Sequence, residues 1–224
     1  MNASIAAAQA DREEIANTLT HGLGIVLAVI GTAVLLFAAQ ASAVPYAGVA
    51  CAVYGATMIT LYLASTLYHH AGIPHTGGIA PERPRLRAFD HIAIFLLIAG
   101  TYTPYVLITL RGAWGWSLFT IVWSLAALGV VFELTSLRRY RGAMVALYIG
   151  MGWVGLIAIK PLLAALAPMG LWLLFGGGAA YTLGVIFYKM KSLRYHHAIW
   201  HLFVLAGSVL QYLSILYYVI PARA

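Results

Sequence analysis

Seven separate apolar stretches limit what this chain can fold into. Each is long enough to cross a bilayer as a helix, which requires roughly 20 residues. The predicted spans are residues 20–41, 46–68, 88–110, 114–135, 142–159, 167–188 and 198–220. Hydrophobic residues make up 62% of the 224 residues and charged residues only 8%, a balance that a soluble domain does not show. The sequence therefore predicts an all-α membrane protein: one seven-helix transmembrane domain, residues 1–224, with a pre-helix at 1–19.

The lysine and arginine residues between the spans predict the orientation of the bundle. With a cytoplasmic N-terminus, ten of them lie on the cytoplasmic side, and only Arg111, Lys160 and Arg223 lie outside. This bias follows the positive-inside rule for short loops. We therefore expect the N-terminus in the cytoplasm and the C-terminus outside. The net charge of +7 is explained by this topology, so nucleic acid is not an expected partner.

Histidine and carboxylate side chains concentrate at the predicted cytoplasmic ends of the spans. The eight histidines are His21, His69, His70, His75, His91, His196, His197 and His201. The six carboxylates are Asp11, Glu13, Glu14, Glu82, Asp90 and Glu133. The predicted outer loops contain neither residue type, which indicates one functional face on the cytoplasmic side.

Three histidines in this set have the arrangement of a metal site. His197 and His201 are four residues apart, so they share one face of the last helix. His69 ends the second span at the same predicted membrane depth. Three imidazoles would give zinc three protein ligands and leave its fourth position open. Haem ligation fits an i, i+4 pair poorly, and a soft metal is less favoured because the set lacks Cys and Met.

Two polar residues near these histidines have the chemistry of a hydrolytic site. Asp90 lies just inside the third span, where an ionisable group needs a partner and suggests function. Zinc lowers the pKa of a bound water to roughly 7, and Asp90 would accept or orient its proton. Ser65, one turn from His69, would hydrogen-bond the water or a developing oxyanion. The alternatives are a helix-terminal acid for Asp90 and a backbone-bonded serine for Ser65.

A further polar stripe precedes the first span. Glu14, Asn17 and His21 follow the i, i+3, i+7 spacing of one helix face. They are either residues that support the metal site or part of a capped interfacial helix, with acids near its positive end.

Other features predict local helix geometry. Pro104 is expected to kink the third helix, with Thr101 and Thr103 bonding freed carbonyl groups. Glu133 is expected to form an interfacial ion pair with the neighbouring Arg138 and Arg139. The run 176–178 of three glycines permits either close helix contact or local flexing.

Taken together, the motifs resemble those of the bacterial hemolysin III proteins, the prokaryotic branch of the progestin and adipoQ receptor (PAQR) superfamily. The residues that carry the resemblance are Glu14, Asn17, Thr20-His21-Gly22, Ser65, His69, Asp90-His91, the run 98–104 and the run 197–204. The resemblance implies seven helices, a cytoplasmic N-terminus and a place in the bacterial inner membrane. It also implies zinc held by His69, His197 and His201, with Asp90 and Ser65 beside the metal-bound water.

Relatives among the adiponectin receptors and alkaline ceramidases imply hydrolysis of a lipid amide or ester at the cytoplasmic face. Membrane lipid is then the expected partner, as substrate or as regulator. The chain lacks the long N-terminal domain of the eukaryotic receptors, so no soluble hormone is expected to bind. The alternative function is a non-catalytic sensor of membrane state with structural zinc. A cytolysin or channel is less favoured, because the spans carry no charged side chains outside the predicted inner-face cluster.

Overall fold

The computed structural model of the chain describes residues 3–73 and 83–221, with side chains from residue 8 onward. His75, Glu82 and Arg223, each placed on one side of the membrane by the sequence, lie outside the described residues. The eight α-helices are α1 (Ala3–Ala41), α2 (Ala47–His70), α3 (Pro84–Pro104), α4 (Gly112–Leu134), α5 (Arg141–Trp153), α6 (Ile159–Ala165), α7 (Pro168–Lys189) and α8 (His196–Ser214). Short π-helical segments, Tyr105–Leu110 and Ile215–Val219, extend α3 and α8.

These helices form seven segments that are long and apolar enough to cross a membrane. The all-α fold and the seven spans are therefore confirmed. The fifth span runs from Arg141 to Ala165 and consists of α5, a 3₁₀ segment at Val154–Ala158 and α6. Lys160, which we expected in an outer loop, lies within α6, because the helix resumes at Ile159.

Large apolar side chains cover the outside of the bundle. Phe37, Trp172 and Leu19 are 76%, 75% and 67% exposed, an arrangement that is unfavourable in water and favourable in lipid. Polar side chains such as His21 of α1 and Gln211 of α8 point inward and are buried. The bundle is thus apolar outside and partly polar inside, as a membrane span requires.

The two helices at the centre of the bundle, α2 and α3, carry three of the predicted site residues. Helix α2 packs between α1 and α3, and α8 packs against α7 and α1. Ser65, His69 and Asp90 lie on the buried faces of α2 and α3, while His201 lies on the buried face of α8. The packing order therefore brings the end of α2, the start of α3 and the start of α8 together.

The third span changes helical form at its proline. Helix α3 ends at Pro104, and a π-helical segment begins at Tyr105. The Thr101 hydroxyl donates to the Leu97 carbonyl at 2.8 Å, and the Thr103 hydroxyl donates to the Ala99 carbonyl at 3.0 Å. Both are the i−4 contacts that helical threonines ordinarily make, and neither reaches the carbonyl of Gly100, which Pro104 leaves without its N–H partner. The expected bonding of freed carbonyls by these threonines is therefore not observed.

Close helix contact, and not flexing, accounts for the middle glycine of α7. A Cβ added to Gly177 would lie 2.9 Å from the Gly207 carbonyl oxygen, and one added to Gly207 would lie 3.0 Å from the Gly177 carbonyl oxygen. Backbones of α7 and α8 can approach this closely only where side chains are absent. The contact holds α8, and with it the histidine pair, against α7.

Candidate metal centre

Three imidazole rings meet at the interface of α2 and α8. His69 lies in the last turn of α2, and His197 and His201 lie in the first two turns of α8. One ring nitrogen from each lies within 4.8 Å of the other two. His69 and His201 are buried, and His197 is partly exposed. The three residues that the sequence singled out are therefore brought together and are placed to hold a metal ion.

The start of α8 is fixed by helix α1. Tyr195, immediately before α8, has a φ of 58°, in the left-handed region that non-glycine residues seldom adopt. Its backbone N–H donates to the Glu13 carboxylate at 3.3 Å, and Gln9 donates to the same oxygen at 3.2 Å. An acidic side chain at a helix N-terminus also complements the helix dipole. This contact sets where the first turn of α8, and therefore His197, begins.

A carboxylate of α1 determines which nitrogen His69 offers. The Nδ1 atom of His69 lies 2.6 Å from Glu14 Oε2. A carboxylate accepts a hydrogen bond from N–H, so Nδ1 carries the proton and Nε2 keeps its lone pair. Among the described residues, Nε2 is buried and has no hydrogen-bond partner. A buried lone pair of this kind is costly unless something binds it, and it fits a metal ion.

A hydroxyl of α1 has the same effect on His201. The Thr20 hydroxyl lies 2.9 Å from the carbonyl oxygens of both Ala16 and Asn17, to which it donates its single proton. It therefore accepts from His201 Nδ1, 3.1 Å away. With the proton on Nδ1, the Nε2 atom of His201 keeps its lone pair for a ligand. Thr20 belongs to the quoted sequence motif, but its role depends on packing between α1 and α8, which spacing alone does not reveal.

The polar stripe of α1 lies against the histidines. Helix α1 begins at Ala3, so Glu14 lies about three turns after the start of the helix. The interpretation of Glu14 as an acid at a helix terminus is therefore wrong. His21 stacks on His201 with ring centroids 3.5 Å apart, and it meets Tyr62 edge-on at 5.1 Å. Both His21 nitrogens and Asn17 Oδ1 are buried without hydrogen-bond partners in the described part of the chain. Glu14 and His21 thus contact the three-histidine cluster directly.

Asp90 and Ser65 lie beside the three histidines. Asp90 is 8% exposed and Ser65 is 1% exposed. Their side chains interact, and the Asp90 carboxylate is close enough to His69 for an electrostatic interaction. The buried position of Asp90 in the second turn of α3 differs from that of a solvated acid at a helix start.

A partly open cavity of about 190 Å³ adjoins this cluster. Its wall includes Ser65, Asp90 and His201 at one end and Thr101 and Gln211 at the other. His201 and Gln211 are about 15 Å apart along the axis of α8, at 1.5 Å per residue. The cavity is therefore elongated along the helices, and it joins polar groups at one end of the bundle to its apolar interior.

A second histidine–carboxylate pair on the cavity wall was missed by sequence reasoning. His91 Nδ1 lies 3.1 Å from Glu133 Oε2, and the Tyr148 hydroxyl donates to the His91 carbonyl at 3.0 Å. Glu133 is only 3% exposed, and in the described residues it pairs with His91 and not with Arg138 or Arg139. The expected interfacial ion pair is wrong, because both arginines are exposed while Glu133 points inward.

Replacement of Glu14 by glutamine tests whether the Glu14 carboxylate holds His69 in its metal-binding tautomer. The amide is a weaker acceptor than the carboxylate and lets the ring adopt either tautomer. We expect zinc affinity to fall about 10- to 100-fold, the usual effect of losing a hydrogen-bond partner of a ligating histidine. Competition with a fluorescent zinc chelator measures the affinity. Asp11→Asn, the same change of charge on the same helix, is the control, and an equal loss in both variants would contradict this role.

Known proteins resemble this chain over nearly its whole length. The model of the haemolysin-III related family matches residues 10–212. Hemolysin-3 of Bacillus cereus is 45% identical over 214 residues, which is 95% of this chain and 94% of the relative. The hemolysin-3 homolog of Bacillus subtilis (strain 168) is 42% identical over 207 residues, 92% of this chain and 94% of the relative.

A more distant match extends the comparison to a human protein. The monocyte to macrophage differentiation factor of Homo sapiens is 26% identical over 211 residues, 91% of this chain and 83% of the relative. The family match includes the α1 stripe, the three clustered histidines and the cavity wall. The chain belongs to the haemolysin-III family, as its motifs predict.

Proposed function

We propose that this protein is a zinc-dependent hydrolase of a lipid amide or ester, acting within the bacterial inner membrane at its cytoplasmic face. The observation that carries the proposal is the elongated cavity whose wall includes Asp90, Ser65 and two of the clustered histidines. A lipid whose acyl chain lies along the cavity would place its carbonyl group beside these residues. The orientation rests on the distribution of basic residues between the spans.

The residues that would hold zinc are His69, His197 and His201. Three imidazole nitrogens, with no Cys or Met in the set, favour zinc over softer metals. When bound, zinc supplies a Lewis acid that polarises an oxygen ligand and lowers the pKa of water to about 7. Glu14 and Thr20 hold two of the rings in the tautomer that directs Nε2 toward the cluster.

Asp90 would move the proton. As a water molecule attacks the acyl carbon, the Asp90 carboxylate accepts its proton, and then returns it to the leaving nitrogen or oxygen. The C–N or C–O bond breaks, giving a fatty acid and an amine or alcohol. Ser65, buried next to Asp90, would donate a hydrogen bond to the negatively charged oxygen that develops on the carbonyl.

The apolar wall of the cavity would bind the acyl chain and exclude water. Leu97, Ile98, Val185 and Val204 lie along it. Removal of water strengthens the electrostatic interactions of the buried carboxylate and serine with the reacting group. A volume of about 190 Å³ accommodates the reactive end of a lipid, while the remainder stays in the bilayer.

Filling the cavity tests the proposal without touching a metal ligand. Purified protein in detergent, given N-acyl and O-acyl lipids, should release fatty acid in a zinc-dependent reaction followed by mass spectrometry. Val185→Trp should lower the rate about tenfold or more, because a displaced acyl group no longer meets the reacting groups. Zinc content should stay unchanged in this variant.

Leu183→Trp is the matched control, because Leu183 lies on the same helix, is 50% exposed and faces away from the cavity. It should hydrolyse lipid at the wild-type rate. Absence of hydrolysis by wild-type protein across both lipid classes would overturn the proposed function. Equal rates for Val185→Trp and wild type would overturn the role of the cavity.

A further inference from the structure

Three arginines line the same end of the cavity as Asp90. Arg87 lies in the first turn of α3, Arg138 lies in the 3₁₀ segment Ser136–Arg139, and Arg141 begins α5. All three belong to the cavity wall, together with His91 and Glu133. We call Arg87, Arg138 and Arg141 the arginine rim.

Topology alone does not explain the arginine rim. Orientation in the membrane requires basic residues on one side but does not require them to face a cavity. Arg85 lies in α3 with Arg87, and Arg139 lies in the 3₁₀ segment with Arg138. Neither Arg85 nor Arg139 lines the cavity. Arg139 instead contacts the Tyr140 hydroxyl at 2.9 Å and lies over its ring. The structure therefore separates rim arginines from neighbours of equal charge.

The rim guanidinium groups carry no internal counter-charge in the described part of the chain, where the ion pairs involve other residues. Arg83 interacts with Glu14, 3.9 Å away, and Glu133 is engaged by His91. Lys191 adds a further positive charge nearby, with its ammonium 4.4 Å from the centre of the Tyr188 ring. Partial burial lowers the pKa of Lys191, and the charge of Arg141 lowers it further.

We propose that Arg87, Arg138 and Arg141 bind the anionic headgroup of the lipid whose acyl bond lies at the metal cluster. Guanidinium groups pair with phosphate and carboxylate oxygens through two parallel hydrogen bonds, which suits both classes of anionic lipid. This inference names anionic lipids as the substrate class. It rests on the proposed function, because headgroup binding is substrate recognition only if the protein hydrolyses the lipid. Headgroup binding itself requires no turnover.

Native mass spectrometry of the full chain in detergent tests the arginine rim. The probes are dioleoyl-phosphatidylglycerol, oleate and the zwitterionic dioleoyl-phosphatidylcholine, with inorganic phosphate as a competitor. Wild type should bind the two anionic lipids in preference to phosphatidylcholine, and inorganic phosphate should not displace them. Each rim arginine should contribute about fivefold to the affinity for phosphatidylglycerol. The triple variant Arg87→Gln/Arg138→Gln/Arg141→Gln should then lose roughly a hundredfold and its headgroup preference.

The matched control is Arg85→Gln/Arg139→Gln/Arg194→Gln, which removes equal charge from residues outside the cavity wall. It should retain the wild-type affinity and preference. Arg141→Gln alone, with its fivefold loss, gives the answer if the triple variant does not fold. Equal losses in both triple variants, equal binding of phosphatidylglycerol and phosphatidylcholine, or displacement by inorganic phosphate would each overturn the inference. Binding is measured without turnover, so wild type that binds phosphatidylglycerol through the rim but releases no fatty acid would overturn the proposed function alone, and failure of hydrolysis is distinguishable from failure of headgroup binding.

Discussion

Replacing His201 with alanine is expected to remove the metal from the protein. His201 is 2% exposed, and its ring centroid lies 5.0 Å from that of His69 and 4.6 Å from that of His197. With two ligands left, zinc content should fall from about one ion per chain to below about a tenth. Inductively coupled plasma mass spectrometry of the purified protein measures this directly.

His196→Ala provides the matched control for that experiment. His196 is adjacent to His197, but it does not belong to the cluster of three ring nitrogens. It should keep a full complement of zinc. Equal zinc in wild type and His201→Ala would rule out this cluster as the metal site, whatever the protein catalyses.

Replacing Asp90 with asparagine is expected to stop hydrolysis while leaving the metal in place. The amide has the shape of the carboxylate and can still interact with Ser65, but it cannot accept a proton from water. General-base residues typically contribute a factor of about 10² to 10⁴, so the rate of fatty acid release should fall by that amount. The measurement pairs release of fatty acid with the zinc content of the same preparation.

The Asp90→Asn variant also distinguishes the two functions that the sequence leaves open. A sensor with structural zinc needs the histidines but no proton acceptor, so its function would survive Asp90→Asn and fail in His201→Ala. A hydrolase fails in both. Normal turnover by Asp90→Asn with zinc retained would remove Asp90 from the mechanism.

Much of the architecture follows from hydrophobicity read along the chain. A span of about 20 apolar residues has few alternatives to a helix in lipid, so the number of spans is predictable. The boundaries of the fifth span are less predictable, because the 3₁₀ segment Val154–Ala158 is as apolar as the two helices that it joins. The pre-helix is continuous with the first span in α1, and its alanine-rich start accounts for this extension.

The site could be predicted only as far as spacing within one helix allows. His197 and His201 share a face by periodicity alone, and depth in the membrane adds His69 and Asp90. Contacts between helices are different, since Glu14 meets His69 only because α1 packs against α2. For Glu133, nearness in sequence predicted the wrong partner. Its sequence neighbours Arg138 and Arg139 are exposed, whereas the buried carboxylate pairs with His91 of α3.

The histidine cluster joins the second of the described spans to the seventh, with four spans and more than half of the 224 residues between them. During synthesis, α2 enters the membrane early and α8 enters last. His69, which Glu14 orients, would lie apart from His197 and His201 until α8 packs against α7 and α1. The proposed metal site would therefore be complete only once α8 has packed against the bundle. A chain that stops short of α8 would lack His197 and His201, two of the three residues proposed to hold the metal.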